Sequence, residues 1–163
     1  MTAEPGQWLE ALAQSRLSAA MQDSLWLYPA VETIHLLGLA ALVGCAVAFD
    51  LRLLGFSRHL PARATARHLL TCARSGFAVA AISGFLLFSS DPVALAENPA
   101  FRWKLALIGV AGLNALRFHI GPFRTADNWE PGRAAPLSAR IAAVVSLGAW
   151  AGAVTAGRLI AYV

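Results

Sequence analysis

The chain has 163 residues, of which 58% are apolar and only 13% charged, and its mean hydropathy is +0.59. Soluble domains average about 45–50% apolar and about 25% charged, so a disordered chain, a coiled coil and an ordinary water-soluble enzyme are set aside. The net charge of +4 does not point to nucleic acid. Thirteen Lys and Arg in so apolar a chain mark the ends of membrane helices, and the basic segments lack the aromatic interleaving of a nucleic-acid binder.

Residues 1–25 form an arm. In it Trp8, Leu9, Leu12, Ala13, Leu17, Ala20 and Met21 recur at helical spacing, with Glu10, Gln14, Ser18 and Gln22 largely opposite. This pattern predicts a short amphipathic helix at the membrane surface or against a bundle. The arm lacks the basic start and continuous apolar core of a signal peptide, so a cleaved leader is not expected.

Residues 26–163 form the transmembrane domain. A span needs about 20 residues, and apolar stretches over 26–54, 68–89, 99–118 and 137–162 supply four. Pro29 suits the first turn of the first helix. Asn98-Pro99 reads as an N-cap followed by proline at the first position of the third. The predicted fold is therefore all-α: a four-helix transmembrane bundle preceded by a short amphipathic interfacial helix.

Loop charge orients the bundle. Connection 51–67 holds Arg52, Arg58, Arg63 and Arg67 with no acid, and 117–140 holds Arg117, Arg124, Arg133 and Arg140 against Asp127 and Glu130. The middle connection sets Arg102 and Lys104 against Asp91 and Glu97, and the arm has only Arg16. The arginine-rich side is expected to be cytoplasmic. Both termini then face the periplasm of a bacterial inner membrane.

Polar groups inside spans are costly and point to function or to helix association. Glu32 and His35 share a face of the first helix. His35 lies roughly 12 Å along it at about 1.5 Å per residue, in the outer half. Lys104 opens the third helix at similar depth. Arg158 lies near the outer end of the fourth, with Trp150 two turns before it. These five are expected to converge on one outward-facing pocket. His35 has two readings, an axial haem or metal ligand or an interhelical hydrogen bond. Lys104 and Arg158 would hold anionic groups, or Lys104 would snorkel outward or pair with Glu32.

In the inner half an Asp50–Arg74 pair is expected to neutralise two buried charges. His68 and His119 lie near the inner surface as interfacial residues or a bis-histidine site, and Asn114 is expected to bond across helices. Cys45 and Cys72 lie in separate apolar stretches, so no disulfide framework and no thiolate metal site is implied. No phosphate loop, HExxH, CxxC or nucleophile elbow occurs.

The stretch ETIHLLGLAALVG…DLRLLG over 32–55 resembles the opening helix of a family of uncharacterised bacterial four-helix membrane proteins. SGFLLFSSD (83–91), ENPAFRWKLALI (97–108), LNALRFH (113–119) and GRLIAY (157–162) fit the same family in order. More distantly, the layout is similar to the membrane domain of copper-resistance protein D and to the haem-containing bacterial protoporphyrinogen oxidase. His35, Gly44, Arg52 and Lys104 match that oxidase family's pattern. The chain lacks its tryptophan–glycine–leucine signature and tyrosine-rich segment, and Met1 and Met21 make no methionine-rich copper path.

The resemblance implies haem b, with His35 as iron ligand and Lys104 as a second candidate ligand, and the depth argument sets Arg158 and Trp150 around that pocket. Electrons would pass to quinone or a periplasmic redox partner. Copper held by Glu32 and His35 is the alternative. A non-catalytic accessory subunit of a membrane complex is the third reading.

Overall fold

The computed structural model describes residues 6–57, 59–129 and 135–163. Arg58, Glu130 and Arg133, counted in the loop-charge argument, lie outside the described residues. The side chain of Asp127 does too.

The described chain is helical, with no strand among the described residues. Its helices are α1 (Gln7–Ala13), α2 (Arg16–Asp23), α3 (Leu27–Leu54), α4 (Ala62–Ser90), α5 (Pro92–Glu97), α6 (Pro99–Ile120) and α7 (Leu137–Leu159), with a 3-10 helix at Pro122–Asn128. Three helices, α3, α4 and α7, are long and apolar enough to cross a membrane. α6 is 22 residues long, but Arg102, Lys104, Asn114, Arg117 and His119 lower its apolar content.

The arm is two short helices rather than one. Ser15 breaks the run and caps α2, its side chain accepting from the Ser18 N–H at 3.2 Å. α2 docks on the C-terminal end of α4 instead of lying free. Ser18 and Met21 are buried, and Gln22 Nε2 donates to the Ser90 carbonyl at 2.5 Å. That bond satisfies one of the carbonyls a helix end leaves open.

Capping also sets the ends of the long helices. Gly55 takes a left-handed φ of 113° after α3, a conformation glycine adopts without a Cβ clash. Buried Arg52 donates from Nε to the Leu60 carbonyl at 2.8 Å, tying the α3–α4 connection down. Asn98 caps α6 as the sequence predicts, accepting from the Phe101 N–H at 3.1 Å with Pro99 at the first position. Its amide Nδ2 also donates to the Ile160 and Val163 carbonyls at 3.2 and 2.7 Å, holding the end of α7.

The long helices form two antiparallel hairpins, α3 with α4 and α6 with α7, and these meet through α3 and α7. Between α3 and α4 the backbones nearly touch. A Cβ built on Gly76 would lie 2.6 Å from the Leu42 nitrogen, and one on Gly38 2.9 Å from the Ala80 nitrogen. Small residues permit this approach, which lipid-embedded helices use because no hydrophobic drive favours association there. Among the described residues no Cα of α6 comes within 8 Å of α3 or α4.

The space between α4 and α6 is bridged at its two ends by aromatic rings. At one end Phe88 of α4 stacks on Phe101 of α6, with centroids 5.4 Å apart, and Trp8 of α1 lies 6.4 Å from Phe88. At the other, Phe123 of the 3-10 helix packs 5.5 Å from Phe118 and 6.5 Å from Phe49, under the Arg63 guanidinium.

The glycine contact gives a direct prediction. Gly76→Val forces backbone against backbone, so it destabilises the detergent-purified protein by about 1–3 kcal/mol, the usual range for overpacking. Gly44→Ala, where a Cβ meets nothing within 4 Å, leaves the thermal midpoint unchanged or slightly raised. Paired melting curves check both.

Candidate functional site

The five residues expected in one outer pocket are only partly gathered. His35 is 9% exposed. Its Nδ1 lies 3.1 Å from Ser83 Oγ, and its Cε1 lies 3.0 Å from where a Gly84 Cβ would stand. Ser83 spends its one hydroxyl proton on the Val79 carbonyl at 2.6 Å, so it accepts from His35 and Nδ1 carries the ring proton. Nε2 is thereby left as the lone-pair nitrogen.

Lys104 is half-buried, and its stem runs against α7: a Cβ on Gly157 would sit 3.6–3.7 Å from Cδ, Cε and Nζ. Glu32 is exposed. Arg158 does not join them. It turns along its own helix, donating to the Tyr162 hydroxyl at 2.9 Å with its guanidinium 5.2 Å from that ring. Trp150 lines a cavity towards the other end of the bundle. Among the described residues no three His, Cys, Asp or Glu side chains gather as a metal site.

That other cavity is the better-formed site. It measures about 320 Å³ and draws its walls from all four long helices. Alanines leave the space: Ala46 on α3, Ala73 on α4, Ala111 and Ala115 on α6, Ala142 and Ala143 on α7. Leu42, Phe77 and Ile108 line its apolar part, towards the middle of the helices. Phe77 is 48% exposed, and Arg74, Gly112 and Ala115 are exposed beside it. The cavity therefore opens sideways, through the slot between α4 and α6.

Its polar groups lie towards the arginine-rich end. Asn114 Nδ2 donates to the Ala142 carbonyl at 2.9 Å, the cross-helix bond the sequence suggests. Asp50 is 6% exposed with Ser146 beside it, and its Oδ2 has no hydrogen-bond partner. The expected Asp50–Arg74 ion pair is not formed: both line the cavity, but Arg74 is exposed at the rim and does not reach the carboxylate.

His119 Nδ1 lies 2.8 Å from the Ala115 carbonyl. A carbonyl only accepts, so Nδ1 holds the proton and Nε2 is the acceptor. That Nε2 is buried and has no partner. His119 and His68 do not pair, since His68 lies in a surface groove of α4 with Arg67, Thr71 and Cys72.

Two buried acceptors without partners thus line one apolar chamber. A buried polar group left unsatisfied costs about 1–3 kcal/mol, so native structures hold few of them and each calls for a reason. Sequence reading weighed Asp50 and His119 separately, as a structural pair and an interfacial residue. The signal that joins them is the Ala111 and Ala115 pair one turn apart on α6, facing alanines from the other three helices, which marks a facing void as readily as close packing.

Stability tests this description. Asp50→Leu removes the carboxylate with its unpartnered Oδ2 and fills part of the void, so the ligand-free protein gains about 1–3 kcal/mol. A calorimetric midpoint in detergent that rises for Asp50→Leu agrees; one that falls by a similar amount contradicts it.

No protein-family model, curated protein or solved structure matches this chain.

Proposed function

We propose that this is an integral membrane protein whose four long helices all cross the bilayer, and that its inner cavity binds a lipid-soluble ring carrying two hydroxyl donors, the quinol class. α6 crosses with α7 as an antiparallel partner. The loops rich in arginine face the cytoplasm and both termini the periplasm of a bacterial inner membrane.

One observation carries the reading. Asp50 Oδ2 and His119 Nε2 are both buried acceptors without partners, and both border the same apolar chamber. A ligand that supplies two donors and an apolar body satisfies both demands. The slot between α4 and α6 admits it from the hydrocarbon, where such a ligand concentrates. At about 320 Å³ the chamber is at the low end of small-molecule sites, about 300–1,000 Å³, which suits a ring headgroup with its tail left in the slot.

The test is a tryptophan fluorescence titration with a decyl-substituted benzoquinol, using Trp150 in the cavity wall as reporter. Wild type is expected to saturate at one ligand per chain. Asp50→Ala weakens binding about tenfold, the scale of one lost hydrogen bond to a carboxylate. Ala115→Leu, which fills the slot, abolishes it. Equal response from wild type and Ala115→Leu means the quinol merely partitions into detergent, and the reading fails.

A second reading rests on His35. Its Nδ1 is held as donor by Ser83, which leaves Nε2 as a lone pair, the arrangement a metal-ligating histidine adopts. Lys104 is then the cation for an anionic substituent. This is the haem b proposal reduced to two residues, because Arg158 and Trp150 lie elsewhere. Copper at Glu32 and His35 is its metal counterpart. A Soret band in the purified protein that His35→Ala removes favours haem. A colourless preparation that binds the quinol favours the cavity, and one that binds nothing favours an accessory subunit of a membrane complex.

A further inference from the structure

Cys45 and Cys72 stand far apart in the chain, but the α3–α4 register brings them together. Gly38 lies against Ala80, Gly76 against Leu42, and His35 bonds Ser83. In this antiparallel pair each step forward on α3 is matched by one back on α4. Position 45, one turn beyond Leu42, therefore falls opposite 72 and 73, one turn before Gly76. The two thiols are close enough to act on each other.

Their surroundings differ. Cys45 is half-buried and Cys72 is exposed. Cys72 shares its surface groove with Arg67, His68, Thr71 and Ser75. Cys72 is open to small reagents, so it is placed to meet an oxidant first, and a second thiol next to it is placed to resolve the oxidised form. The cavity proposed above does not include either sulfur, so this site stands apart from that reading.

We infer that Cys45 and Cys72 form a peroxide-oxidisable dithiol, with Cys72 attacked first and Cys45 closing a disulfide that staples α3 to α4. In the first step the Cys72 thiolate attacks one peroxide oxygen. An S–O bond forms, the O–O bond breaks, and the departing hydroxide takes a proton to leave as water. Cys72 is now a sulfenic acid, oxidised by two electrons. The Cys45 thiolate then attacks that sulfur, the S–S bond forms, the S–O bond breaks, and a second water leaves with the Cys45 proton. One hydrogen peroxide and two thiols give one disulfide and two waters. The backbone contact between Gly76 and Leu42, one turn away, holds the helices close enough for the short Cα separation a disulfide requires.

The experiment exposes the intact, detergent-purified chain to a slight excess of hydrogen peroxide. Wild type is expected to lose two hydrogens, about 2 Da, to lose both maleimide-reactive thiols on later denaturation, and to recover them with dithiothreitol. Cys45→Ser is expected to give a dimedone adduct on residue 72 and no such mass loss. Wild type that keeps both thiols reactive overturns the inference. So do disulfide-linked dimers in place of the intramolecular bond, or a Cys45→Ser chain in which Cys72 gives no adduct.

Discussion

Gly38 and Gly76 let the backbones of α3 and α4 touch, and the rest of the arrangement follows from that contact. A side chain at either position would stand 2.6–2.9 Å from backbone nitrogen of the other helix. The contact sets the register, and the register places Ser83 opposite His35 and Cys72 opposite Cys45. It also draws α4 onto α3. Because the second hairpin packs against α3 through α7, α4 held so tightly on α3 does not reach α6. The slot between α4 and α6 is the geometric remainder, closed near its ends by Phe88 with Phe101 and by Phe123 beneath the Arg63 guanidinium.

The chamber behind the slot combines two properties that packing alone does not favour. Each of its four helices contributes alanine to the wall where a larger residue would fill the space. Its polar end keeps an Asp50 oxygen and a His119 nitrogen without partners. Each departure lowers stability, through lost dispersion contacts and through desolvation without a compensating bond. Polar groups withheld from water and from each other are stable ground for a ligand that completes them. The Asn114 bond to Ala142, by contrast, is fully made and serves to lock α6 to α7.

The sequence made the four long helices legible, because apolar runs and the Asn98-Pro99 signal depend on neighbouring residues only. The boundaries at 27–54 and 99–120 follow that local chemistry closely. α4 begins at Ala62, a turn and a half before its apolar run, since Arg63, Arg67 and His68 are helix-compatible at a polar surface. The site was less legible. That His35 and Lys104 lie at a similar level along the bundle follows from chain position. Rotation about each helix axis does not follow from depth, and it is rotation that sends Arg158 to Tyr162 and Trp150 into the other cavity. The Cys45–Cys72 contact depends on interhelix register, which only the glycine pair fixes.

The central claim is that the alanine-walled chamber holds a two-donor lipid-soluble ring. The most direct measurement is organic-solvent extraction of the protein purified from its own membrane in mild detergent, followed by oxidised-minus-reduced ultraviolet spectroscopy of the extract. The account expects close to one quinone-class molecule per chain, and far less from Ala115→Leu prepared in parallel. An extract containing phospholipid alone, or equal quinone from both proteins, would contradict it.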